Sequence, residues 1–525
     1  MSVLPAEGDD MTSQTELLLG IDVGTSSTKG VLCTPAGEVV VETVIEHGVD
    51  NPRPGWYEQD ADAIWWGDVV AVCQQLLPGR AESLRGVAVS AIGPCLLPVD
   101  VAGRPLRPGI LYGIDARASA EIDWLDGEFG EDALFALGGM TLTSQAMGPK
   151  ILWLRRNEPD VFAATETFLT ASSYAVLRLT GERVMDAHTA SYYNPLIDLR
   201  HLRWDDRFAG PITDLARLPR IAWATEVAGT VTAAAAAETG LPVGTPVTVG
   251  TIDAAAEAIS VGVTDPGDMM VMYGTTLFFI QRTAEPVSDR QMWSAAYALP
   301  DGFCVSGGMS AAGGLTRWAR DTFGQPEVAA EQAGGPNAYT ALAALAETSP
   351  AGANGLVCLP YFAGERTPIN DPDARGLFAG LTLTHTRADL YRAALEGTAF
   401  GVRHNLETMA AMGSTPRRLV AVGGGARNRT WLRAVSDATG VPQDVPERTT
   451  GAAYGDAFLA GLATGLVPNL SALNGQWVRI AETLQPNPAV RPLYDELYGI
   501  YGDLYENALD QLHALARLQL PRPGA

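Results

Sequence analysis

Two aspartates of this 525-residue chain each lie at the end of an apolar segment, beside glycine and hydroxyl residues. Asp22 lies near the end of the run LLLGIDVG and precedes the segment Gly24–Lys29, in which all four residues from 25 to 28 carry hydroxyl groups. Asp253 comes shortly after Gly250-Thr251. Backbone amides of glycine-rich turns and short hydroxyl side chains can converge on an anion without steric bulk. Both segments are therefore candidates for binding phosphate.

A carboxylate beside a phosphate group is electrostatically unfavourable unless a cation or a transferable proton offsets the repulsion. Phosphoryl transfer supplies both, because Mg²⁺ accompanies ATP and the acceptor hydroxyl needs a base. Either aspartate alone is equally well explained as a helix N-cap, and a single turn of this kind is typical of a hairpin. The presence of two aspartates on matching loops favours phosphoryl transfer.

Several other chemistries lack their sequence motifs. The Walker pattern G-x-x-x-x-G-K-[ST] is absent, and Gly423-Gly424-Gly425 lacks the spacing of a dinucleotide fingerprint, which argues against a P-loop NTPase and a Rossmann dehydrogenase. The six histidines include no H-E-x-x-H or other metal-ligand spacing, and no G-x-S-x-G nucleophile elbow occurs. Metal-dependent hydrolysis and serine hydrolysis are therefore disfavoured.

The elements that position both aspartates follow one plan. The N-terminal segment predicts strands joined by the loop Gly24–Gly30, and DMMVMYGTTLFFIQRT predicts a strand, the turn Gly274–Thr276 and a second strand. A third unit, RRLVAVGGGARNRTWLRAVSDATG, predicts a strand, a glycine turn and a helix. Further helices are predicted over Asp60–Leu77 and Thr386–Met412. The repetition predicts two domains that face each other across a cleft, with the break near residues 262–267.

The composition indicates a folded protein of more than one domain. A chain of 525 residues is too long to form a single compact core. Its 47% of apolar residues and only 18% of charged residues exclude a disordered chain. The net charge of −24 argues against nucleic acid or an anionic membrane as a partner. Only two of the 36 basic residues are lysines, Lys29 and Lys150. Biased codon usage explains the general excess of arginine.

Cellular location can also be predicted. The five cysteines are scattered without a C-x-x-C pair, which is typical of a reducing compartment. Residues 1–16 are polar and acidic without the apolar core of a signal peptide, and no apolar run reaches the roughly 18–20 residues that span a bilayer. We therefore predict a cytoplasmic protein with a flexible tail over residues 1–16.

Five segments in order along the chain resemble the FGGY family of carbohydrate kinases: LGIDVGTSSTKGVL, GTIDAAAEAISVG, MYGTT, LPYFAGERTPINDP and VGGGARNRTWLRAVSDATGVP. GWYEQD, PKILWL and the pattern from Gly376 to Glu396 are also similar. The resemblance is xylulokinase-like or pentulose kinase-like and extends from about Leu17 to Gly465. It implies an α/β fold of two actin-like (RNase H-like) ATPase domains, with ATP and sugar in the central cleft between them.

The resemblance also implies how the chain is divided. Residues 17–262 would form the N-terminal domain with the sugar site and the first phosphate loop, and residues 263–468 the nucleotide-binding C-terminal domain. Residues 469–525 would form a C-terminal helical extension. The expected partners are ATP and a small carbohydrate, without nucleic acid or membrane, and a homodimer is left open.

The family resemblance assigns roles to both aspartates. Asp253 would be the general base that accepts the proton of the attacking hydroxyl, which requires hydrogen-bond reach more than a shifted pKa. Asp22 would lie near Mg²⁺ through water, because Mg²⁺ loses its hydration reluctantly, and Asp253 would be the second carboxylate beside the metal. Lys29 suits transient charge stabilisation. The implied ATP-binding residues are Gly24, Thr25, Ser26, Ser27, Lys29, Gly274, Thr275, Thr276, Gly308, Ser310, Gly313, Gly314, Gly424, Gly425 and Asn428.

The implied sugar site departs from well-known relatives. Xylulokinases carry a Met-His pair in a G-Q-M-H-G turn where this sequence has Gly93-Pro94, and the Arg-Glu pair of glycerol kinases is also missing. Tyr112 and a D-x-R pattern remain in a segment that is one residue longer. Loss of a polar pair can change selectivity by orders of magnitude. The implied sugar-binding residues are Ile92, Gly93, Asp115, Arg117 and Asp253.

We therefore hypothesise an ATP- and Mg²⁺-dependent kinase of a small carbohydrate, with a ketopentose such as xylulose or ribulose as the first choice. Alternatives of the same class are another ketose, a polyol such as glycerol or erythritol, and an aldonate. An actin- or Hsp70-like nucleotide switch is the alternative of a different class. Asp253 separates the two classes, because a switch needs phosphate loops but no base.

Overall fold

The computed structural model describes residues 15–519. Residues 1–14, most of the predicted tail, and residues 520–525 at the end of the predicted extension lie outside the described residues. Each half of the chain contains one seven-stranded sheet. No helix between residues 15 and 519 combines the length and the apolar character needed to cross a membrane.

From residue 15 onward, the first half contains sixteen strands and nine α-helices. The strands are β1 (Leu17–Val23), β2 (Ser27–Cys33), β3 (Val39–Glu46), β4 (Asp50–Arg53), β5 (Trp56–Gln59), β6 (Leu84–Ala91), β7 (Leu97–Val99), β8 (Gly109–Ile110), β9 (Thr167–Leu169), β10 (Val184–Asp186), β11 (Ile197–Asp198), β12 (Arg203–Trp204), β13 (Arg220–Ala222), β14 (Val227–Thr230), β15 (Pro246–Thr248) and β16 (Thr251–Ile252). The helices are α1 (Gly67–Leu76), α2 (Ser119–Phe129), α3 (Glu131–Gly138), α4 (Met147–Asn157), α5 (Pro159–Ala164), α6 (Ala171–Thr180), α7 (Ala187–Ala190), α8 (Ala233–Thr239) and α9 (Asp253–Ser260).

The second half contains nine strands and seven α-helices up to residue 519. The strands are β17 (Asp268–Tyr273), β18 (Leu277–Thr283), β19 (Trp293–Ala296), β20 (Phe303–Met309), β21 (Val357–Leu359), β22 (Leu377–Ala379), β23 (Arg418–Val422), β24 (Gln443–Pro446) and β25 (Ile480–Leu484). The helices are α10 (Gly313–Thr322), α11 (Gln325–Gln332), α12 (Ala338–Glu347), α13 (Arg387–Ala411), α14 (Arg429–Thr439), α15 (Ala452–Thr464) and α16 (Arg491–Gln519).

Both seven-stranded sheets have the same central order. The first is β14-β15-β6-β1-β2-β3 with β16 beside β6, and the second is β19-β20-β18-β17-β23-β24-β25. In each sheet three antiparallel strands, β1–β3 or β17, β18 and β20, continue into parallel strands, β6 and β15 or β23 and β24. The predicted pair of α/β domains of one design is therefore confirmed.

Two predicted elements differ in detail. The loop predicted over Gly24–Gly30 is only a short turn, because residue 27 already begins β2. Thr28 is buried and donates to the Asp68 carboxylate at 2.8 Å, whereas Lys29 is exposed, and this alternation is that of a strand. The region after residue 468 contains β25 as well as α16, and β25 pairs with β24 at the edge of the second sheet. It is therefore not purely helical.

The two long helices predicted from the sequence are confirmed. The first begins with a short π-helix, Ala61–Trp66, and continues as α1. The Asp60 carboxylate caps it by accepting hydrogen bonds from the amides of Asp62 and Ala63. The second is α13, for which Thr386 is the N-cap and Met412 the C-cap.

Helix α15 of the second half packs against the first sheet. It lies on β1, β6 and α9, and Phe458 of α15 belongs to a buried cluster that contains residues of both halves. Glycines permit this close approach: a Cβ on Gly20 would collide with the carbonyl of Ala453, and a Cβ on Gly455 with the carbonyl of Ala256. The two halves are thus joined along α9 and α15, and α9 is the helix that begins at Asp253.

A buried carboxylate holds the start of α13. Asp389 accepts from the Ser349 hydroxyl at 2.7 Å, from the Thr386 amide at 2.7 Å and hydroxyl at 2.8 Å, and from the Asn354 amide group at 2.8 Å. Burial raises the pKa of Asp389, but these donors lower it to about 2. The ionised form is therefore the one that the fold stabilises.

Replacing this carboxylate tests its contribution to stability. Asp389→Asn should lower the free energy of unfolding near neutral pH by about 2 kcal/mol, because a cap and charge-assisted hydrogen bonds are lost. The folded-state pKa lies below the ordinary value of 3.8, so the contribution is complete above that pH and is lost as the pH falls through about 2. Denaturant unfolding should show the difference from wild type shrinking as the pH is lowered below about 4.

The exposed Asp510 of α16 provides a matched control. Asp510→Asn should change the free energy of unfolding by less than about 0.5 kcal/mol. Equal losses in the two variants, or a difference for Asp389→Asn that does not depend on pH, would contradict the role of Asp389.

Candidate active site

Asp22 and Asp253 lie at the ends of two strands, β1 and β16, that both pair with β6. β1 and β16 both run parallel to β6, where Asp22 and Thr251 are each paired in register with Ser90. Asp253 follows β16 directly as the first residue of α9. The carboxyl ends of parallel strands meet at one edge of a sheet, which is the usual position of ligand sites in α/β folds.

The two aspartates influence each other electrostatically. Burial, and then the charge of Asp22, raise the pKa of Asp253. Burial also raises the pKa of Asp22, whereas the Lys29 ammonium lowers it. Lys29 is directly opposite Asp22 in the antiparallel pair β1–β2, so the two side chains share a face. The structure therefore brings together three predicted site residues: Asp253, Asp22 and Lys29.

Two further carboxylates complete this cluster, and the sequence reasoning missed both. Glu257 follows Asp253 by four residues on α9, and burial and the charge of Asp22 raise its pKa. Asp456 of α15 is fully buried and accepts from the Ser90 hydroxyl at 2.6 Å and the Ser90 amide at 3.1 Å. The spacing of four on one helix could have identified Glu257. No local pattern could have identified Asp456, because its contact joins residues 366 positions apart.

The carboxylate cluster is suited to a divalent cation that is also coordinated by the phosphates of a nucleotide. Within residues 15–519 no three His, Cys, Asp or Glu side chains form a cage for a metal ion. Mg²⁺ is usually bound through one or two carboxylates, substrate phosphates and water, not through a full set of protein ligands. Asp22 and Asp253, whose negative charges repel each other, match this requirement.

A cavity of about 690 Å³ lies in the second half. This volume falls within the range of about 300–1,000 Å³ that is typical of small-molecule sites. The cavity brings together six predicted nucleotide-binding residues: Gly274, Thr275, Gly313, Gly424, Gly425 and Asn428. Six further lining residues were not predicted from the sequence. Tyr273, Arg427 and Trp431 lie within three residues of predicted ones, whereas Asn337, Tyr339 and Tyr391 come from other segments.

The turn after β17 rests on the start of α10. The Gly313 amide donates to the Gly274 carbonyl at 3.0 Å, and the Gly314 amide donates to the Thr275 carbonyl at 2.7 Å. A Cβ on Gly313 would collide with the Gly274 carbonyl, whereas a Cβ on Gly314 would lie 3.4 Å from the Thr275 carbonyl, an ordinary contact. Residue 313 therefore fixes the position of this turn.

Gly308 and Ser310, which were predicted to bind the nucleotide, do not line this cavity. The Gly308 amide donates to the Thr367 hydroxyl at 2.8 Å, and the Ser310 amide donates to the Glu365 carboxylate at 2.7 Å. Both amides thus hold the 365–367 segment against the end of β20. The segment 24–29 and Asp22 belong to the first sheet, so the predicted phosphate-binding residues are divided between the two halves.

Ile92 and Gly93, predicted to contact the sugar, touch the residues next to the two aspartates in the chain. The Ile92 amide donates to the carbonyl of Val23 at 2.7 Å. A Cβ on Gly93 would lie 2.9 Å from the side chain of Ile252. These contacts place the segment next to the residues that adjoin Asp22 and Asp253.

Asp115 and Arg117, also predicted to contact the sugar, form a buried ion pair instead of facing the cleft as free groups. The Arg117 guanidinium donates to Asp115 at 2.7 Å and to Glu58 at 2.7 Å, and its carbon lies 4.3 Å from the ring centre of Trp56. Asp115 also accepts from the Tyr57 amide at 2.7 Å. Since these polar atoms bind one another, the pair supports the loop that contains it.

Tyr112, five residues before Arg117, is a member of this loop on which the charge of Asp253 acts. Burial raises the pKa of Tyr112, and an interaction with the Thr25 side chain lowers it. The charge of Asp253 also raises this pKa, whereas the charge of Arg366 lowers it. The Tyr112 side chain therefore lies near both Asp253 of the first half and Arg366 of the second. A small acceptor molecule could be enclosed between these groups.

Known proteins match this chain over nearly its whole length. The N-terminal domain of the FGGY family of carbohydrate kinases matches residues 17–260, and the C-terminal domain of that family matches residues 269–464. The xylulose kinase of Escherichia coli (strain K12) is 31% identical, over 85% of this chain and 90% of that protein. The gluconokinase of Bacillus subtilis (strain 168) is 28% identical, over 88% and 90%.

The fold is also that of a solved kinase. The crystal structure of xylulose kinase from Rhodospirillum rubrum has a TM-score of 0.88 and 33% identity, and the match covers 95% of this chain and 100% of that one. Together with the two family domains, this similarity places the repeated sheets and the cleft between them in a known enzyme class. The chain belongs to the FGGY family of carbohydrate kinases, enzymes that phosphorylate a sugar at the expense of ATP.

Proposed function

We propose that the chain transfers the γ-phosphate of ATP to a hydroxyl group of a ketopentose such as xylulose or ribulose, with Asp253 as the general base. The position of Asp253 carries the proposal. It begins α9 at the edge of the first sheet, near Asp22, Lys29 and Tyr112. A general base must lie within hydrogen-bond reach of the proton that it accepts, and this edge is the place where a sugar and the phosphates can meet.

The proposed reaction balances with the groups at this edge. The Asp253 carboxylate accepts the proton of the sugar hydroxyl, whose oxygen forms a bond to the γ-phosphorus. The bond from that phosphorus to the β–γ bridging oxygen breaks, and ADP leaves. Lys29 offsets the negative charge of Asp22 and Asp253 and lies where it can stabilise the transferring group. Mg²⁺, held through Asp22 and Asp253, would supply neutralisation of the phosphate charge.

The large cavity of the second half is proposed to hold the nucleotide. It combines the turn after β17, the start of α10 and the Gly424–Asn428 segment around one space. Asn428 uses its side-chain oxygen to cap α14, accepting from the Trp431 amide at 3.1 Å, so its NH₂ group is the part that can face a ligand. The aromatic walls suit a planar base.

An aldonate is a second candidate acceptor, supported by Arg366. The Nε of Arg366 is buried and has no hydrogen-bond partner among residues 15–519, and its guanidinium lies near Tyr112. A carboxylate on the substrate would pair with this group. One relative named above is a gluconokinase, which agrees with this candidate.

We further propose a cytoplasmic location. All five cysteines are buried free thiols, and burial raises the pKa of Cys73 and Cys95 to about 12. Such thiols are inert and are typical of proteins in a reducing compartment.

Removing the proposed base gives the first test. Asp253→Asn should lower kcat by at least about 10³-fold, because general-base catalysis contributes about 10²–10⁴-fold and no other group takes its place. Binding of ATP, followed by calorimetry, should remain within about threefold of wild type because the nucleotide cavity is untouched. Ser260→Ala on the same helix is the control and should lower kcat by less than about tenfold. Near-normal turnover by Asp253→Asn would exclude it as the base.

A substrate panel tests the acceptor class. Xylulose, ribulose, other ketoses, glycerol, erythritol and gluconate would be compared in an assay of ADP release. We expect the highest kcat/KM for a ketopentose, and a preference for gluconate that Arg366→Met abolishes would establish the second candidate instead. If no acceptor raises ADP release above the rate without sugar, the nucleotide-switch alternative is favoured.

The nucleotide cavity can be tested with two neighbouring glycines. Gly313→Ala should raise the KM for ATP by at least about tenfold, because its Cβ would displace the Gly274 carbonyl. Gly314→Ala should change the KM for ATP by less than about threefold, because its Cβ would make only an ordinary contact. Initial rates at saturating sugar give both values. Equal effects of the two substitutions would contradict the proposed role of the 274–276 turn.

A further inference from the structure

We propose that Lys150 is a positioning residue of the sugar site: its side-chain nitrogen holds the backbone of Leu111 and Tyr112 and thereby places the Tyr112 side chain near Asp253. This inference rests on the proposed function, because it takes the space between Tyr112 and Asp253 as the sugar site. It assigns a purpose to one of only two lysines in the chain.

Both hydrogen bonds of the Lys150 side chain go to this loop. Lys150 is fully buried on α4, and its Nζ donates to the Leu111 carbonyl at 2.6 Å and to the Tyr112 carbonyl at 2.9 Å. The same loop is held from its other side, since the Gly113 amide donates to the Gln145 side chain at 3.2 Å and the Ser144 hydroxyl donates to the Gly113 carbonyl at 2.7 Å. Residues 111–113 are thus fixed from the start of α4 and the segment just before it.

Burying this side chain is energetically unfavourable unless its donors are used. Burial lowers the pKa of Lys150 to about 7, and the charge of Asp115 opposes that shift. An apolar side chain of similar volume would avoid the cost of desolvating a cation. The presence of an amine with two short hydrogen bonds to successive carbonyls therefore indicates that the position requires donors as well as volume.

The shape of the site explains why this cation is lysine in a chain where arginine predominates. The ammonium group of lysine is compact and directs its N–H donors tetrahedrally, whereas the guanidinium group of arginine is larger and has all its donors in one plane. A cavity of only about 120 Å³ adjoins Lys150 and is lined by small residues such as Ser119, Thr143 and Ala146. A guanidinium at this position would present its donors in one plane and would not bind the two carbonyls with the same geometry.

Tyr112 connects this anchor to the reaction site. The loop begins at Gly109, which pairs with Gln59, and the Gln59 side chain donates to the Thr25 carbonyl of the first phosphate loop at 3.1 Å. The charges of Asp253 and Arg366 both act on the Tyr112 hydroxyl. A shift of the Leu111–Tyr112 backbone would therefore move a side chain that borders the acceptor. It would leave the nucleotide cavity of the second half unchanged, because no residue of that cavity belongs to this loop.

Steady-state kinetics of the full-length enzyme, with the best acceptor from the panel, test the proposal. Lys150→Met keeps the length of the side chain and removes its donors, and it should raise the KM for sugar by at least about tenfold while the KM for ATP stays within about twofold. In a Tyr112→Ala background the same substitution should raise the sugar KM by less than about twofold, because the effect passes through Tyr112. Leu154→Ala, a fully buried site on the same helix, is the control and should lower thermal stability without changing either KM.

Each outcome decides the matter. Lys150→Met with an unchanged sugar KM, or with equal effects in the presence and absence of Tyr112, would overturn the proposal. Should Lys150→Met fail to fold, Lys150→Arg retains the charge and should raise the sugar KM in the same way. If neither variant folds although Leu154→Ala does, Lys150 is required for the fold itself and the positioning role is wrong. Near-normal turnover of Asp253→Asn would instead refute the proposed function, whatever Lys150 does.

Discussion

Repulsion between carboxylates that are buried or half-buried is the constraint on which the active site depends. Asp22, Asp253, Glu257 and Asp456 lie around one edge of the first sheet, and each has a raised pKa because burial disfavours its charge. Lys29 offsets part of this charge. Such a cluster is unfavourable for stability alone, and a function that brings a cation and a transferable proton to it explains its presence. The net charge of −24 is therefore compatible with a polyanionic substrate, because the compensation is local.

The two halves of the molecule are joined where this cluster lies. Asp456 is on α15, a helix of the second half, yet it accepts hydrogen bonds from Ser90 in the first sheet. Glycines at Gly20 and Gly455 allow α15 to approach β1 and α9 closely. A change in the relative position of the halves would therefore involve helices that adjoin the proposed base. This arrangement is consistent with closure around two substrates, which excludes water as a competing acceptor.

The sequence predicted elements and motifs better than it predicted contacts. The repeated strand–turn plan, the helix capped by Asp60 and the helix that follows Thr386 were predictable, because hydrophobic periodicity and caps are local signals. The extent of the first phosphate loop was predicted wrongly, since the run of hydroxyl residues concealed the strand alternation that begins at residue 27. The burial of the Asp115–Arg117 pair against Glu58 and Trp56 and the role of Asp456 depend on residues distant in sequence, which no local pattern encodes.

The central claim is that Asp253 accepts the proton of the sugar hydroxyl that attacks ATP. The most direct measurement is a crystal structure of the enzyme with its preferred acceptor, Mg²⁺ and a non-hydrolysable ATP analogue. We predict that a carboxylate oxygen of Asp253 lies about 2.6–3.2 Å from the hydroxyl facing the γ-phosphate. A complex in which that hydroxyl is hydrogen-bonded to a different basic side chain, with Asp253 out of reach, would contradict the account.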